Sequence, residues 1–155
     1  AFDSLELVEF VAAETAKVTH NHPEGIKGAQ ATAGCIYLAR HGAENADIEW
    51  YARERFGYDL GFALDDVRKS FGFDESCQGT VPFALKAFLE ADGFEQTARK
   101  AVSIGGDSDT IAAIACSVAH ARYGVPKEIE KAVKDRLSGD LLELNDRFCE
   151  RFGVD

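Results

Sequence analysis

Apolar residues recur along this chain at the three- and four-residue spacing of an α-helix, and this periodicity limits the possible folds more than any other feature. Cap residues and glycine stops separate the periodic segments, while the apolar–polar alternation typical of half-buried strands is hard to find. Seven predicted helices cover residues 4–17, 26–41, 64–71, 94–104, 111–123, 127–137 and 141–152. Two more are predicted: one is capped by Asp47 and ends at Phe56, and the other is capped by Thr80 and is ended by Gly93.

Local signals refine the helix starts. Asp3 followed by Glu6 matches a capping box before the first helix, and Pro82 after Thr80 fits the first turn of the fifth helix. The polar segment 18–25 contains a proline and predicts a loop. No linker or repeat divides the 155 residues, and 46% of them are hydrophobic, so we expect one all-α domain over residues 1–155 with a packed core.

Charge and cysteine content exclude several classes of function. The net charge of −10 disfavours binding to nucleic acid or to an anionic membrane, although a pocket for a small anion stays possible. No apolar run approaches the length of a membrane span. The four cysteines form no CxxC pair, which argues against a zinc site and a disulfide framework and indicates reduced thiols in a cytoplasmic protein.

A glycine-rich acidic motif is the strongest local signal. Gly105 and Gly106 permit a tight turn, Asp107 and Asp109 place two carboxylates in it, and Thr110 adds a hydroxyl. Oxygen ligands of this kind suit a hard cation such as Mg²⁺, Mn²⁺ or Ca²⁺. The alternative is a helix cap, because carboxylates also satisfy the free amides of a helix N-terminus, whose positive potential repels a cation.

A second polar motif lies at 19–25, with the sequence THNHPEG. His20, His22 and the residues up to Gly25 could contact a polar ligand or transfer protons. The alternative is a polar turn in which the histidines and Asn21 cap the flanking helices.

These two motifs, with the segment TVPFALKAFLEA at 80–91, resemble the ADP-ribosylglycohydrolase family in order and spacing over essentially the whole chain. The resemblance implies a compact orthogonal helical bundle with a two-metal Mg²⁺ centre, to which Asp107, Asp109 and Thr110 contribute ligands. It also implies that His20, His22, Gly25, Gly105 and Gly106 contact ADP-ribose, and that the substrate is ADP-ribose or an ADP-ribosylated protein.

The resemblance covers only the C-terminal half of that family's pattern. The family's N-terminal half carries a Thr-Asp-Asp-Thr-like segment with further metal ligands and the acid–base groups, whereas the one Asp pair here, Asp65–Asp66, follows the histidine loop. We therefore expect a fold without the N-terminal helices, half of the metal site and catalytic residues outside this sequence. Three hypotheses stay open: a glycosidic-bond hydrolase, a non-catalytic ADP-ribose-binding or crystallin-like relative, and a chain that self-associates or needs a complementing N-terminal fragment.

Overall fold

The computed structural model of the protein describes residues 2–68 and 70–154. These residues form nine helices and no strand, which confirms the all-α prediction: α1 (Leu5–Thr19), α2 (Pro23–Arg40), α3 (Asn45–Phe56), α4 (Leu64–Val67), α5 (Cys77–Leu89), α6 (Phe94–Ser103), α7 (Ser108–Tyr123), α8 (Lys127–Lys134) and α9 (Gly139–Phe152). Within the described ranges, no helix has the length and apolar character needed to cross a membrane.

The core consists of two clusters that share α5 and α7. The larger cluster lies between α2, α3, α5 and α7 and contains the fully buried side chains of Ile48 and Phe88. The smaller cluster joins α4, α6 and the other sides of α5 and α7. Ile114 packs against both clusters. Helix α7, whose N-terminus carries the acidic motif, is therefore fixed from two sides.

The N-caps of α1 and α3 differ from the prediction. Ser4, not Asp3, caps α1 by accepting a hydrogen bond from the backbone N–H of Leu7 at 3.2 Å. Glu44 is the N-cap of α3, and Asp47 is the third residue of the helix, where its carboxylate accepts from the Glu44 N–H at 3.1 Å. Asp47 therefore acts in a capping box from inside the helix, because a carboxylate at that position can reach back to the free amide.

Helix α5 begins one turn earlier than predicted. Ser76 caps it through a hydrogen bond from the Gly79 N–H at 3.1 Å, so Thr80 is inside the helix and not its cap. Pro82 consequently lies beyond the first turn, where it removes the donor that would bond the Gln78 carbonyl. Helix α4 is shorter than predicted and ends at Val67, and Lys69 of the predicted segment 64–71 lies outside the described residues.

A buried carboxylate ties α1 to α3. Glu9 is only 7% exposed, and its oxygens accept hydrogen bonds from Tyr51 and Arg55, each at 2.8 Å. Burial by itself would raise the pKa of Glu9, but the bonds from Arg55 and Tyr51 and the Arg55 charge hold it below its ordinary value. Gly34 of α2 lies directly against the Tyr51 ring, so this cluster also depends on the missing side chain at position 34.

All four cysteines, each among the described residues, are free thiols. Cys35 is the most deeply placed of them, with no exposed surface, in the middle of α2 and within the larger cluster. Burial raises the pKa of the Cys35 thiol to about 12. It therefore packs as a small apolar side chain.

Candidate functional site

The turn that enters α7 requires glycine at two consecutive positions. Gly105 and Gly106 have φ of +84° and +61°, in the left-handed region. A Cβ on Gly106 would also lie 2.7 Å from Cε1 of Phe71 and 2.9 Å from the carbonyl oxygen of Gly72. The segment after α4 therefore packs directly against this turn and sets the position of the acidic residues that follow.

The two aspartates behave differently at the start of α7. Asp107 occupies the N-cap position, yet its side chain makes no capping hydrogen bond. Asp109 lies in the first turn of the helix. The pKa of Asp109 is lowered, first by the Asp107 side chain and then by the backbone amides of Asp109 and Thr110. The cap alternative therefore describes the position of Asp107, although its side chain does not make the capping bond.

This arrangement places two carboxyl groups at the same helix start, which suits a shared cation. Two neighbouring ionised carboxylates repel each other, and a shared positive charge relieves that repulsion. Each carboxylate has about four lone-pair sites to offer to such a cation. With the Thr110 hydroxyl in the next position, the donor set is entirely oxygen and fits a hard cation such as Mg²⁺.

The number of donors limits this site. An octahedral cation takes about six oxygens, whereas the motif provides the side chains of Asp107, Asp109 and Thr110. Across residues 2–68 and 70–154, no group of three or more His, Cys, Asp or Glu side chains lies close enough together to hold a metal ion. Further ligands would have to be water or groups from another segment.

The histidine motif connects α1 to α2 and is shorter as a loop than predicted. Pro23, Glu24 and Gly25 already belong to the first turn of α2, so only residues 20–22 lie between the helices. His22 is the N-cap of α2, and its Nδ1 accepts from the Glu24 N–H at 3.2 Å. The helix-capping alternative therefore describes His22, although contact with a ligand through its other ring nitrogen stays a prediction.

His20 is exposed at the end of α1. Its Nδ1 lies 2.8 Å from the Thr19 hydroxyl, and its backbone N–H donates to the Ala16 carbonyl at 2.7 Å. A Cβ at Gly25 would lie 2.8 Å from the carbonyl oxygen of His20, so a glycine is needed for this close approach. The imidazole is thus held at the surface by its neighbour and by a tight backbone turn, with Nε2 directed away from this bond.

An apolar groove of about 630 Å³ begins beside His20. Helices α1 and α2 form its walls, and two residues of α5 and one of α7 complete it. The lining residues are Phe2, Val8, Val11, Ala12, Thr15, Ala16, His20, Gly25, Gly28, Ala29, Thr32, Ala33, Ile36, Cys77, Val81 and Ile114. The glycines and alanines of α2 keep it open, as the small-residue composition of that helix allows.

The structure brings the two predicted motifs to neighbouring places without joining them in one cavity. His20 and Gly25 line the groove together with Ile114, which follows Thr110 by one turn of α7. Asp107, Asp109 and Thr110 are outside the set of residues that line it. The connection between the motifs runs through the packing of α2 on α7.

Sequence reasoning missed the residues that hold the acidic turn from outside. Arg68 donates from Nε to the Ser103 hydroxyl at 2.9 Å and also pairs with Asp65, so it links α4 to the end of α6 just before Gly105. Arg68 is hard to identify from the sequence, because single arginines are common in short polar helices. Lys27 of α2 is engaged by its neighbours, because its Nζ lies 3.4 Å from Glu24 and 4.6 Å from the centre of the Tyr58 ring.

Comparison with known proteins assigns this sequence to a family. The family model described as ADP-ribosylglycohydrolase matches residues 1–155. An uncharacterized protein of Archaeoglobus fulgidus is 30% identical over 173 aligned positions, which cover 95% of this chain and 55% of that relative. The chain thus spans about half the length of the relative. No solved structure gave a significant match. Because the family model matches from the first residue to the last, the chain belongs to the ADP-ribosylglycohydrolase family.

Proposed function

We propose that this protein acts in hydrolysis of the glycosidic bond between ADP-ribose and its acceptor. The observation that carries the proposal is the placement of Asp107, Asp109 and Thr110 together at the start of α7, directly after the left-handed turn at Gly105 and Gly106. Family membership over the whole chain gives that placement its chemical meaning.

Asp107, Asp109 and Thr110 would hold Mg²⁺, with Mn²⁺ as a second possibility, in a two-metal centre. Bound there, the cation would supply positive charge that orients the ribose hydroxyls and a water molecule and stabilises charge as the bond breaks. The protein's own contribution is to fix both carboxylates on a rigid glycine turn, because preorganised ligands need no rearrangement. The two aspartates are ligands in this scheme and not nucleophiles.

His20 would contact the ADP-ribose, with His22, Gly25, Gly105 and Gly106 near it. The exposed imidazole at the edge of the groove supports this role, since its position leaves it free to meet a ligand. The backbone at Gly105 and Gly106 supports close approach, because neither residue carries a side chain that would block it.

The donor count favours a form of this activity that depends on a further segment. Three side-chain donors fill about half of an octahedral shell, and the relative is nearly twice as long as the region that matches. We propose that the remaining ligands and the general base come from residues equivalent to the unmatched part of that relative. The groove between α1 and α2 would receive part of that segment.

The test is release of ADP-ribose from an ADP-ribosylated protein, with Mg²⁺ and with a chelator. The 155-residue chain alone should bind Mg²⁺ weakly in calorimetry and release little or no ADP-ribose. Addition of a fragment with the missing Asp-Asp segment should restore Mg²⁺-dependent release, and Asp109→Ala should abolish it.

Asp140→Ala is the matched control. Asp140 also lies in the first turn of a helix, and its pKa is lowered by the Ser138 side chain and by the backbone amides of Asp140 and Leu141. Its removal therefore takes a carboxylate from a comparable helix start without touching the proposed ligands. Equal activity in the Asp109→Ala and parent proteins, or robust turnover by the isolated chain, contradicts the assignment. Binding of ADP-ribose without turnover in every form would favour the non-catalytic hypothesis.

A further inference from the structure

The turn that carries the acidic residues begins with two glycines, so no side chain of its own holds the backbone there. Gly105 and Gly106 both have positive φ, and a glycine backbone has the widest conformational freedom of any residue. Buried side chains bound the turn at each end: Ile104 before it and Ile111 after it are 2% and 0% exposed. Between these two fixed points, the path of the backbone depends on the groups that pack against the glycines.

The ring of Phe71 is the side chain that packs there. A Cβ on Gly106 would lie 2.7 Å from Cε1 and 3.1 Å from Cδ1 of Phe71, so the edge of the ring occupies the space next to the Gly106 backbone. The carbonyl oxygen of Gly72 lies beside the ring, 2.9 Å from the same point. Residues 71 and 72 therefore close one side of the turn, next to the residue that precedes Asp107.

Phe71 is itself fixed by an aromatic cluster of three rings, Phe62, Phe71 and Phe83. The rings of Phe71 and Phe83 have their centres 4.5 Å apart and meet edge to face, and the centre of the Phe62 ring lies 4.9 Å from that of Phe83. All three rings pack against the smaller core cluster. The backbone N–H of Phe71 also donates to the Val67 carbonyl at 2.8 Å. The ring against Gly106 is thus anchored to α5 and to the end of α4.

We propose that Phe71 is a positioning residue: the edge of its ring holds the turn at Gly106 and thereby fixes the acidic ligands that follow. This inference rests on the proposed function, in which Asp107, Asp109 and Thr110 are the ligands of Mg²⁺ or Mn²⁺. Phe71 acts through the backbone and is not itself a ligand. Without that ring, a turn of two glycines has more conformations to lose when a cation binds, so the affinity falls although every ligand is present.

The variant Phe71→Leu removes the contact and keeps an apolar side chain. Leucine ends at Cδ, so it lacks Cε1, the ring atom nearest to the Gly106 position, and still fills space against Phe83. The matched control is Phe62→Leu, because Phe62 is also half-buried and contacts the same Phe83 ring, whereas the atoms closest to Gly106 belong to residues 71 and 72. Phe71→Tyr keeps Cδ1 and Cε1 and should behave as the parent protein. Circular dichroism verifies that each variant is folded.

Titration of the 155-residue chain with Mn²⁺, followed by the electron paramagnetic resonance signal of the free ion, measures the affinity of the site. We expect the dissociation constant to rise about tenfold in Phe71→Leu, as when a group that orients metal ligands is lost. It should stay near the parent value in Phe62→Leu and in Phe71→Tyr. Asp109→Ala removes a proposed ligand and shows which part of the binding belongs to the acidic turn.

Amide hydrogen exchange, followed by nuclear magnetic resonance without any metal, provides the second measurement. The N–H of Gly105 donates to the Val102 carbonyl at 3.3 Å, and the N–H of Ile111 donates to the Asp107 carbonyl at 3.0 Å, so these two bonds bracket the turn. Both amides should exchange several-fold faster in Phe71→Leu than in Phe62→Leu, because the turn opens locally more often once the ring edge is gone.

The two measurements separate failure of this inference from failure of the proposed function. Equal Mn²⁺ affinity in the two leucine variants, with binding that Asp109→Ala abolishes, would overturn the role of Phe71 and leave the metal assignment intact. Binding that does not respond to Asp109→Ala would contradict the metal assignment, and hydrogen exchange then decides the role of Phe71. Equal exchange in the two leucine variants would overturn that role as well, and faster exchange in Phe71→Leu alone would support it.

Discussion

Replacement of Gly34 by alanine should destabilise the protein strongly, although alanine is the better helix former. A Cβ at position 34 would lie 2.5 Å from Cζ and 2.7 Å from Cε1 of Tyr51, and closer still to its hydroxyl. The Tyr51 ring cannot swing away easily. It is 6% exposed, packs edge-on against Phe56 with ring centres 5.3 Å apart, and donates its hydroxyl to buried Glu9.

The size of the change in free energy of unfolding follows from two destabilising effects and one stabilising effect. Overpacking a filled core destabilises by about 1–3 kcal/mol. Loss of the Tyr51 hydrogen bond to a charged carboxylate removes about 1.5–3 kcal/mol. The higher helix propensity of alanine stabilises the folded variant by about 1 kcal/mol. The expected net loss in free energy of unfolding is therefore about 1.5–5 kcal/mol.

Urea denaturation followed by circular dichroism measures this loss. The matched control is Gly139→Ala in the first turn of α9, where a Cβ meets no atom within 4 Å and φ is not positive. That variant should be neutral or stabilised by up to about 1 kcal/mol. Tyr51→Phe should lose about 1.5–3 kcal/mol on its own, and its effect should be smaller in the Gly34→Ala background because both changes break the same bond.

Two outcomes would refute this reasoning. A Gly34→Ala protein as stable as Gly139→Ala would show that the Tyr51 ring moves freely. Fully additive losses in the double variant would show that Gly34 does not act through the Tyr51 hydrogen bond.

Three further predictions follow from groups described above. Because the pKa of Glu9 is lowered from 4.5, its contribution is present above that value and is lost as the pH falls through the lower folded-state pKa. The gap in free energy of unfolding between the parent and Glu9→Gln should therefore shrink in acid urea titrations. His20→Ala should weaken ADP-ribose binding about tenfold in calorimetry of the complemented protein, with an unchanged melting temperature because the ring is exposed. Gly106→Ala should lower the melting temperature more than Gly124→Ala: both have positive φ, but only the first brings a Cβ against Phe71.

The sequence predicted all nine helices of the described residues, because apolar periodicity, cap residues or a nearby stop marked each of them. It was less accurate at the starts. Ser76 and Thr80 are equally good caps by residue type, and only tertiary packing selects Ser76, from which α5 continues through Pro82. The prediction of Asp47 as the cap is wrong because an acidic residue before a helix and one inside its first turn produce the same local sequence pattern.

The candidate site was predictable where backbone conformation limits residue type and less so elsewhere. The positive φ angles of Gly105 and Gly106 follow directly from two adjacent glycines before a helix. The apolar groove was not predictable in detail, because Val8 and Val11 line it only through the way α1 lies on α2. A contact between helices of this kind depends on packing that no local pattern encodes.

The position of Cys35 makes the reactivity of its thiol a measure of how often the core opens. With its surface covered and its thiol held neutral, a thiol-modifying reagent reaches it only after α2 has separated from α5 and α7. Cys77, Cys116 and Cys149 are only half-buried, so smaller fluctuations expose them. The order in which the four thiols are alkylated therefore distinguishes local fluctuations at the groove and at α9 from the global unfolding that exposes Cys35.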